Sequence, residues 1–166
     1  MTRHTILPAC CALALGAAAA SSGHAAEIRE DVGGQTITRA GSQPSTTGPD
    51  AMFTGRVRVD PVWSEGGGLS ASGAMVTFEP GARSAWHTHP AGQRLVVMSG
   101  RGYVQEWGKA VQELRPGDVL ECPPDVKHWH GASPTTAMTH LAVTGSLDGK
   151  NVEWLEKVSD AQYPAN

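Results

Sequence analysis

The sequence predicts an all-β domain, a sandwich or closed barrel, and three observations carry that expectation. From Phe53 onward the chain breaks into short runs of β-branched or alternating residues, "TGRVRVDP", "GAMVTFEPG", "RLVVMSGRGYVQEW", "AVQELRPGDVLECPP" and "TTAMTHLAVTG". Gly and Pro punctuate these runs at close spacing, as turns between short strands require. Before residue 150 no window shows the 3.6-residue periodicity of an amphipathic helix.

The segments fall in order. Residues 1–25, "MTRHTILPACCALALGAAAASSGHA", read as a signal peptide: Arg3, an Ala/Leu-rich run of about 15 residues, and a small residue two before Ala25. The chain is therefore expected to be exported, secreted or periplasmic. Residues 26–50 are rich in Gly, Ser, Thr and Pro and read as an extended N-terminal arm. Residues 51–166 form one domain. Within it, "NVEWLEKVSDAQY" (151–163) spaces Val152, Leu155 and Val158 three apart and offers Glu153 and Lys157 as an i, i+4 pair, so a short C-terminal helix is expected.

Removal of the signal would take Cys10 and Cys11 with it and leave Cys122 alone, so no internal disulfide could form. Loss of Arg3 from the 13 basic residues leaves 12 against 16 acids, a charge of −4. The basic residues are scattered and form no run, which excludes a nucleic-acid footprint. After signal cleavage nothing suggests a membrane partner.

The remaining five histidines are His87, His89, His128, His130 and His140. Residues i and i+2 of a strand face the same way, so His87 with His89, and His128 with His130, each present two imidazoles on one side. Four histidines converging on one barrel interior are hard to explain as packing, because unpaired imidazoles in a dry interior carry a desolvation cost. Along "AMTHLAVTG" the same alternation groups Met138, His140, Ala142 and Thr144, and on "GAMVTF" it brings in Phe78. Trp86 and Trp129 point away from the ligand side and are expected to pack an outer face or a subunit contact.

The spacing has a further meaning. Gly81, five residues, His87-x-His89, three residues, Gln93, six residues and Gly100 resemble the first cupin motif in every interval, with Gln in place of its usual Glu. Sixteen residues on, Gly117, five residues, Pro123, and His128 resemble the second motif, with Asp125 where that motif has Gly and Ala132 where it closes with Asn. The phrases "VTFEPGARSAWHTHPAGQ", "PPDVKHWHGASPTTAMTHLAV" and "LDGKNVEW" narrow the likeness to small bacterial cupins that include manganese-dependent hydroxynitrile lyases of the (R)-mandelonitrile lyase type. It covers roughly residues 39–163.

The resemblance implies a double-stranded β-helix of the jelly-roll type. It also implies one divalent metal per subunit, bound by His87, His89, Gln93 and His128, with His130 and His140 close by. Three imidazoles and an oxygen suit Mn(II), Fe(II), Co(II), Ni(II) or Zn(II), and the family points to Mn(II). Ala74 and Val76 would line the pocket, with Phe78, Met138 and Thr144 added by alternation. The implied reaction cleaves a cyanohydrin, or forms one from an aldehyde plus cyanide. The metal acts as Lewis acid, and His130 or His140, with an ordinary pKa of about 6.5, moves the proton. Acid and base are not assigned between them. Two other readings stand beside it: a metal-dependent dioxygenase with the same ligands, against which a neutral Gln93 argues, and a non-catalytic periplasmic cupin that binds metal or a small ligand. A homo-oligomer is expected from the resemblance, with the arm crossing to a partner.

Overall fold

The computed structural model describes residues 29–32 and 34–164. The segment read as a signal peptide lies outside the described residues. The strands are β1 (Arg29–Val32), β2 (Gln35–Thr38), β3 (Thr46–Thr47), β4 (Phe53–Thr54), β5 (Val57–Trp63), β6 (Ala71–Phe78), β7 (Arg83–Ser84) and β8 (His87–Thr88). They continue with β9 (Gln93–Gly100), β10 (Gly102–Glu106), β11 (Gln112–Leu114), β12 (Val119–Cys122), β13 (His128–Ala132), β14 (Met138–Gly145) and β15 (Glu153–Trp154).

Two sheets form the jelly-roll. One runs β12-β9-β14-β6-β5-β3. The other runs β11-β10-β13-β7-β4, with β8 pairing to β13 and β15 to β8. The core lies between them, where Val76, Phe78, Leu95, Val97 and Met138 of the first sheet meet Phe53, Val104, Leu114 and Ala132 of the second. On β14 burial alternates, with Met138, His140, Ala142 and Thr144 inside and their neighbours half-exposed, the pattern of a strand with one face to a core. The arm is a β1-β2 hairpin followed by β3, which adds an edge to β5. Residues 34–41 are exposed.

The expected C-terminal helix is not formed. Glu153 and Trp154 pair as an antiparallel strand with Thr88 and His87, and the chain then runs without regular structure to a turn at 160–162. The three apolar residues thought to share one helical face divide between two places: Val152 lines the interior cavity, whereas Leu155 and Val158 pack on Trp86 and Trp129 outside the sheet. Nor do Glu153 and Lys157 pair along a helix, since the Lys157 ammonium donates to the carbonyls of Asp50 and Phe53. A 13-residue helix is marginal by itself, and here the open edge of β8 supplies backbone partners at once. Leu155 N–H donates to the Trp86 carbonyl (2.8 Å) and Trp86 N–H to that of Glu156 (2.9 Å).

That tail also explains why β13 is buried along its whole length. One face lines the interior; the other carries Trp129 beneath Val158 and Tyr163. Buried Arg83 fixes the tail by donating to the Val158 carbonyl (3.1 Å) and to Asp160 (2.5 Å), and Tyr163 Oη donates to the Ala132 carbonyl (2.7 Å). Among the described residues no helix is long and apolar enough to cross a membrane.

Candidate metal centre and cavity

Neighbouring strands bring the histidines together. His87 opens β8, directly across from His128 at the start of β13. His89 follows β8 in a turn that Gly92 closes with φ +76°, its N–H donating to the His89 carbonyl (3.2 Å). Gln93 then opens β9, opposite Thr144 of β14. A second left-handed residue is Asp125, φ +61°, at the place where the motif has Gly; Asp is among the few side-chain-bearing residues that tolerate this region. Its N–H donates to the His89 carbonyl (3.0 Å), so the loop before His128 is tied to the turn that carries His89.

Hydrogen bonds set the tautomers. His87 Nδ1 faces the Ala85 carbonyl (2.9 Å), His128 Nδ1 the Val126 carbonyl (2.9 Å) and His89 Nδ1 the Asn151 carbonyl (2.5 Å). A carbonyl only accepts, so each Nδ1 carries the hydrogen and each Nε2 keeps its lone pair. Gln93 Nε2 donates to Thr144 Oγ1 (3.0 Å), which turns Oε1 the other way. His89 Nε2, His128 Nε2 and Gln93 Oε1 are buried and without a hydrogen-bond partner. Buried polar atoms are normally paired. Lone pairs left over on two imidazoles and one amide, with the His87 ring turned the same way by the Ala85 carbonyl, are what a divalent transition metal takes up.

The rings of His87, His89 and His128 lie 4.3 to 5.5 Å apart, centroid to centroid. His130 is near enough to compete for the same position, since ligand atoms of His87, His128 and His130 lie within 4.8 Å of one another. Its Nδ1 is 3.2 Å from His140 Nε2. His140 is completely buried, and its Nδ1 has no partner.

Burial lowers all five imidazoles below the ordinary histidine value. It pushes His140 and His128 down to about 4. Burial, with the neighbouring His128 for His87 and His140 for His130, holds those two well below the ordinary histidine value. Burial lowers His89 too, against the opposing pull of the Asn151 carbonyl and Gln93. The ordinary value of about 6.5 expected for His130 and His140 therefore does not apply in the folded chain.

Four of these histidines face a cavity of about 310 Å³, which His128 does not line. His87, His89, Gln93, His130 and His140 contribute its polar wall; Ala74, Val76, Ala142 and Thr144 line it as well. Phe78 and Met138 lie in the core instead, both fully buried, and the Phe78 ring supports His130 and His140 from 5.5 and 5.6 Å. Pro49, Met52, Phe53, Asn151, Val152 and Trp154 complete the wall. Sequence reasoning missed this last group. Alternation in "NVEW" is a strand signal that could have found Val152 and Trp154; nothing local marks Pro49 to Phe53.

This chain belongs to the cupin family, whose cupin domain it matches over residues 74–144. Among curated relatives it is similar to the (R)-mandelonitrile lyase of Granulicella tundricola, 58% identical over 127 residues, which span 76% of this chain and 97% of that one. Among solved structures it is similar to a cupin-like protein of Thermotoga maritima, with 40% identity, a TM-score of 0.69, and coverage of 76% of this chain and 93% of the other. A cupin-2 protein of Rhodospirillum rubrum shares the fold at 22% identity and a TM-score of 0.57, covering 77% and 83%.

Proposed function

We propose that this protein is a metal-dependent carbon–carbon lyase that cleaves, or forms, cyanohydrins. One observation carries the reading: the unpartnered Nε2 atoms of His89 and His128 and Oε1 of Gln93, with the His87 ring among them, stand beside the hydrogen-bonded pair His130 and His140. The 58% identity to a protein named (R)-mandelonitrile lyase supports cyanohydrins as the substrate class.

In this proposal His87, His89 and His128 through Nε2, and Gln93 through Oε1, hold one divalent ion, Mn(II) by preference and Fe(II), Co(II), Ni(II) or Zn(II) as substitutes. Bound there, the ion supplies Lewis acidity toward the oxygen that becomes the aldehyde carbonyl. Carbonyls of Ala85, Val126 and Asn151 orient the three rings, and Thr144 orients the amide.

His130 and His140 move the proton. One hydrogen lies between His130 Nδ1 and His140 Nε2, and either ring can own it. If His140 owns it, His140 Nδ1 is free; if His130 does, His130 Nε2 is free. Each arrangement of the pair leaves one ring nitrogen with a free lone pair. That nitrogen takes the hydroxyl proton as the C–CN bond breaks, cyanide leaves with the bonding pair, and the proton returns to it to give HCN. The apolar wall of Ala74, Val76 and Ala142 keeps water from competing with this transfer. We propose further that the chain is exported and acts as a homo-oligomer.

The test loads purified protein with Mn(II) or Fe(II) and follows mandelonitrile cleavage beside oxygen uptake on phenolic and diketone substrates. Cyanide release that is lost in His87→Ala, without oxygen consumption, is the expected result. Oxygen uptake without cyanide release would make the protein a dioxygenase, and metal binding with neither reaction would make it a binding protein.

A further inference from the structure

The cavity wall carries two large aromatic side chains, and they are not equivalent. Phe53 is buried and packs against both Phe78 (6.0 Å) and Trp154 (5.4 Å, 64°). Trp154 is only partly buried, and its indole also lies 4.9 Å from the His87 imidazole. Both rings line the cavity, and Trp154 is the one that also lies against the ring of a proposed metal ligand.

Its position is rigid. Trp154 is paired in register with His87 itself. The bonds between Trp86 and residues 155 and 156 extend that pairing, and Lys157 ties the same segment to the carbonyls of Asp50 and Phe53. Asn151, three residues earlier, holds His89 Nδ1. The segment that orients a ligand ring thus also presents the indole, at a fixed distance from the reacting end of anything bound there.

We propose that Trp154 is the specificity-determining residue for the substituent on the carbinol carbon. Its indole receives a flat aryl group edge-on or offset-stacked, and a small alkyl group gains nothing from it. This rests on the cyanohydrin reading of the same site. An aromatic pair of this kind is worth roughly a tenfold preference.

The experiment compares the Mn(II)-loaded wild type with Trp154→Ala, Trp154→Leu and Trp154→Phe on mandelonitrile and on lactonitrile, its methyl analogue. Calorimetric binding of benzyl alcohol and ethanol, which do not react, runs in parallel. Loss of the ring in Trp154→Ala or Trp154→Leu should raise KM for mandelonitrile about tenfold, with kcat changed less, and leave lactonitrile within about twofold. Benzyl alcohol should weaken by the same factor, and Trp154→Phe should stay within about threefold of wild type on every measure. Should Trp154→Ala not fold, Trp154→Leu, which keeps bulk without a ring, carries the same expectation. Equal loss for aryl and methyl substrates, or an unchanged ratio, overturns the proposal. If wild type cleaves neither cyanohydrin, the lyase reading fails, and benzyl alcohol binding alone decides the role of Trp154.

Discussion

Gln93 Nε2 donates to Thr144 Oγ1 across the β9-β14 pair, and that one bond decides which end of the amide faces the histidines. Without it the amide could rotate and present N–H groups, which cannot bind a cation, to the place where Oε1 now stands. Thr144→Val keeps the shape and removes the acceptor. Metal affinity should fall about tenfold or more, as is usual when the group orienting a ligand is lost. Competition with a chelator measures it; Thr144→Ser should restore affinity, and an unchanged constant in Thr144→Val would show that Gln93 is oriented by something else.

Neutrality of the same side chain leads to a second prediction. A carboxylate at 93 would bind metal at least as well but would cancel part of the positive charge that polarises a carbonyl oxygen. Gln93→Glu should retain metal and lose about tenfold in kcat for cyanohydrin cleavage, a cost of roughly 1.4 kcal/mol in the barrier. Metal content by elemental analysis, set beside the rate, separates the two effects. A rate equal to wild type would contradict the proposed role of the neutral ligand.

What was legible in the sequence was whatever depends on spacing along one strand or turn. His87 with His89, His128 with His130, and the run from Gly81 to Gly100 declare themselves because the chain itself sets their geometry. The inward set of β14 follows for the same reason. What was not legible comes from partners far apart in the chain. Asn151 meets His89 across 62 residues and Lys157 meets Phe53 across 104, so local pattern gave no warning that residues 151–157 would satisfy a sheet edge instead of coiling. For Phe78 and Met138 the same holds in another way: alternation assigns a strand face, but not the depth at which cavity gives way to core.

Two glycines of the first motif should respond differently to alanine. Both have positive φ, +80° at Gly81 and +83° at Gly100, a conformation that costs an alanine about 1 kcal/mol. A Cβ on Gly81 would meet nothing within 4 Å, whereas on Gly100 it would stand 1.8 Å from the Ala137 carbonyl oxygen. That oxygen is the acceptor for Arg101 N–H (3.1 Å), so the backbone cannot simply retreat. Gly81→Ala should therefore lose about 1 kcal/mol. Gly100→Ala should lose about 3 kcal/mol or more, from overpacking added to strain. Denaturant midpoints of the two variants check the difference.

Burial of five imidazoles in one interior makes the metal-free protein acid-labile, with a sign that follows from where each form binds protons. Burial holds His140 at about 4 in the folded chain, while unfolded it titrates near the ordinary value of about 6.5. Above that value neither state is protonated and His140 contributes no slope. Between about 6.5 and 4 the unfolded chain takes up a proton that the folded chain refuses, so stability falls as the pH drops, by about 1.4 kcal/mol for each unit. His140→Leu removes the titrating group and can keep its contact with Phe78. Unfolding free energies of the metal-free protein at pH 7, 6 and 5 should decline steeply for wild type and less steeply for His140→Leu. Identical slopes would mean that the His140 ring already accepts a proton within the folded barrel.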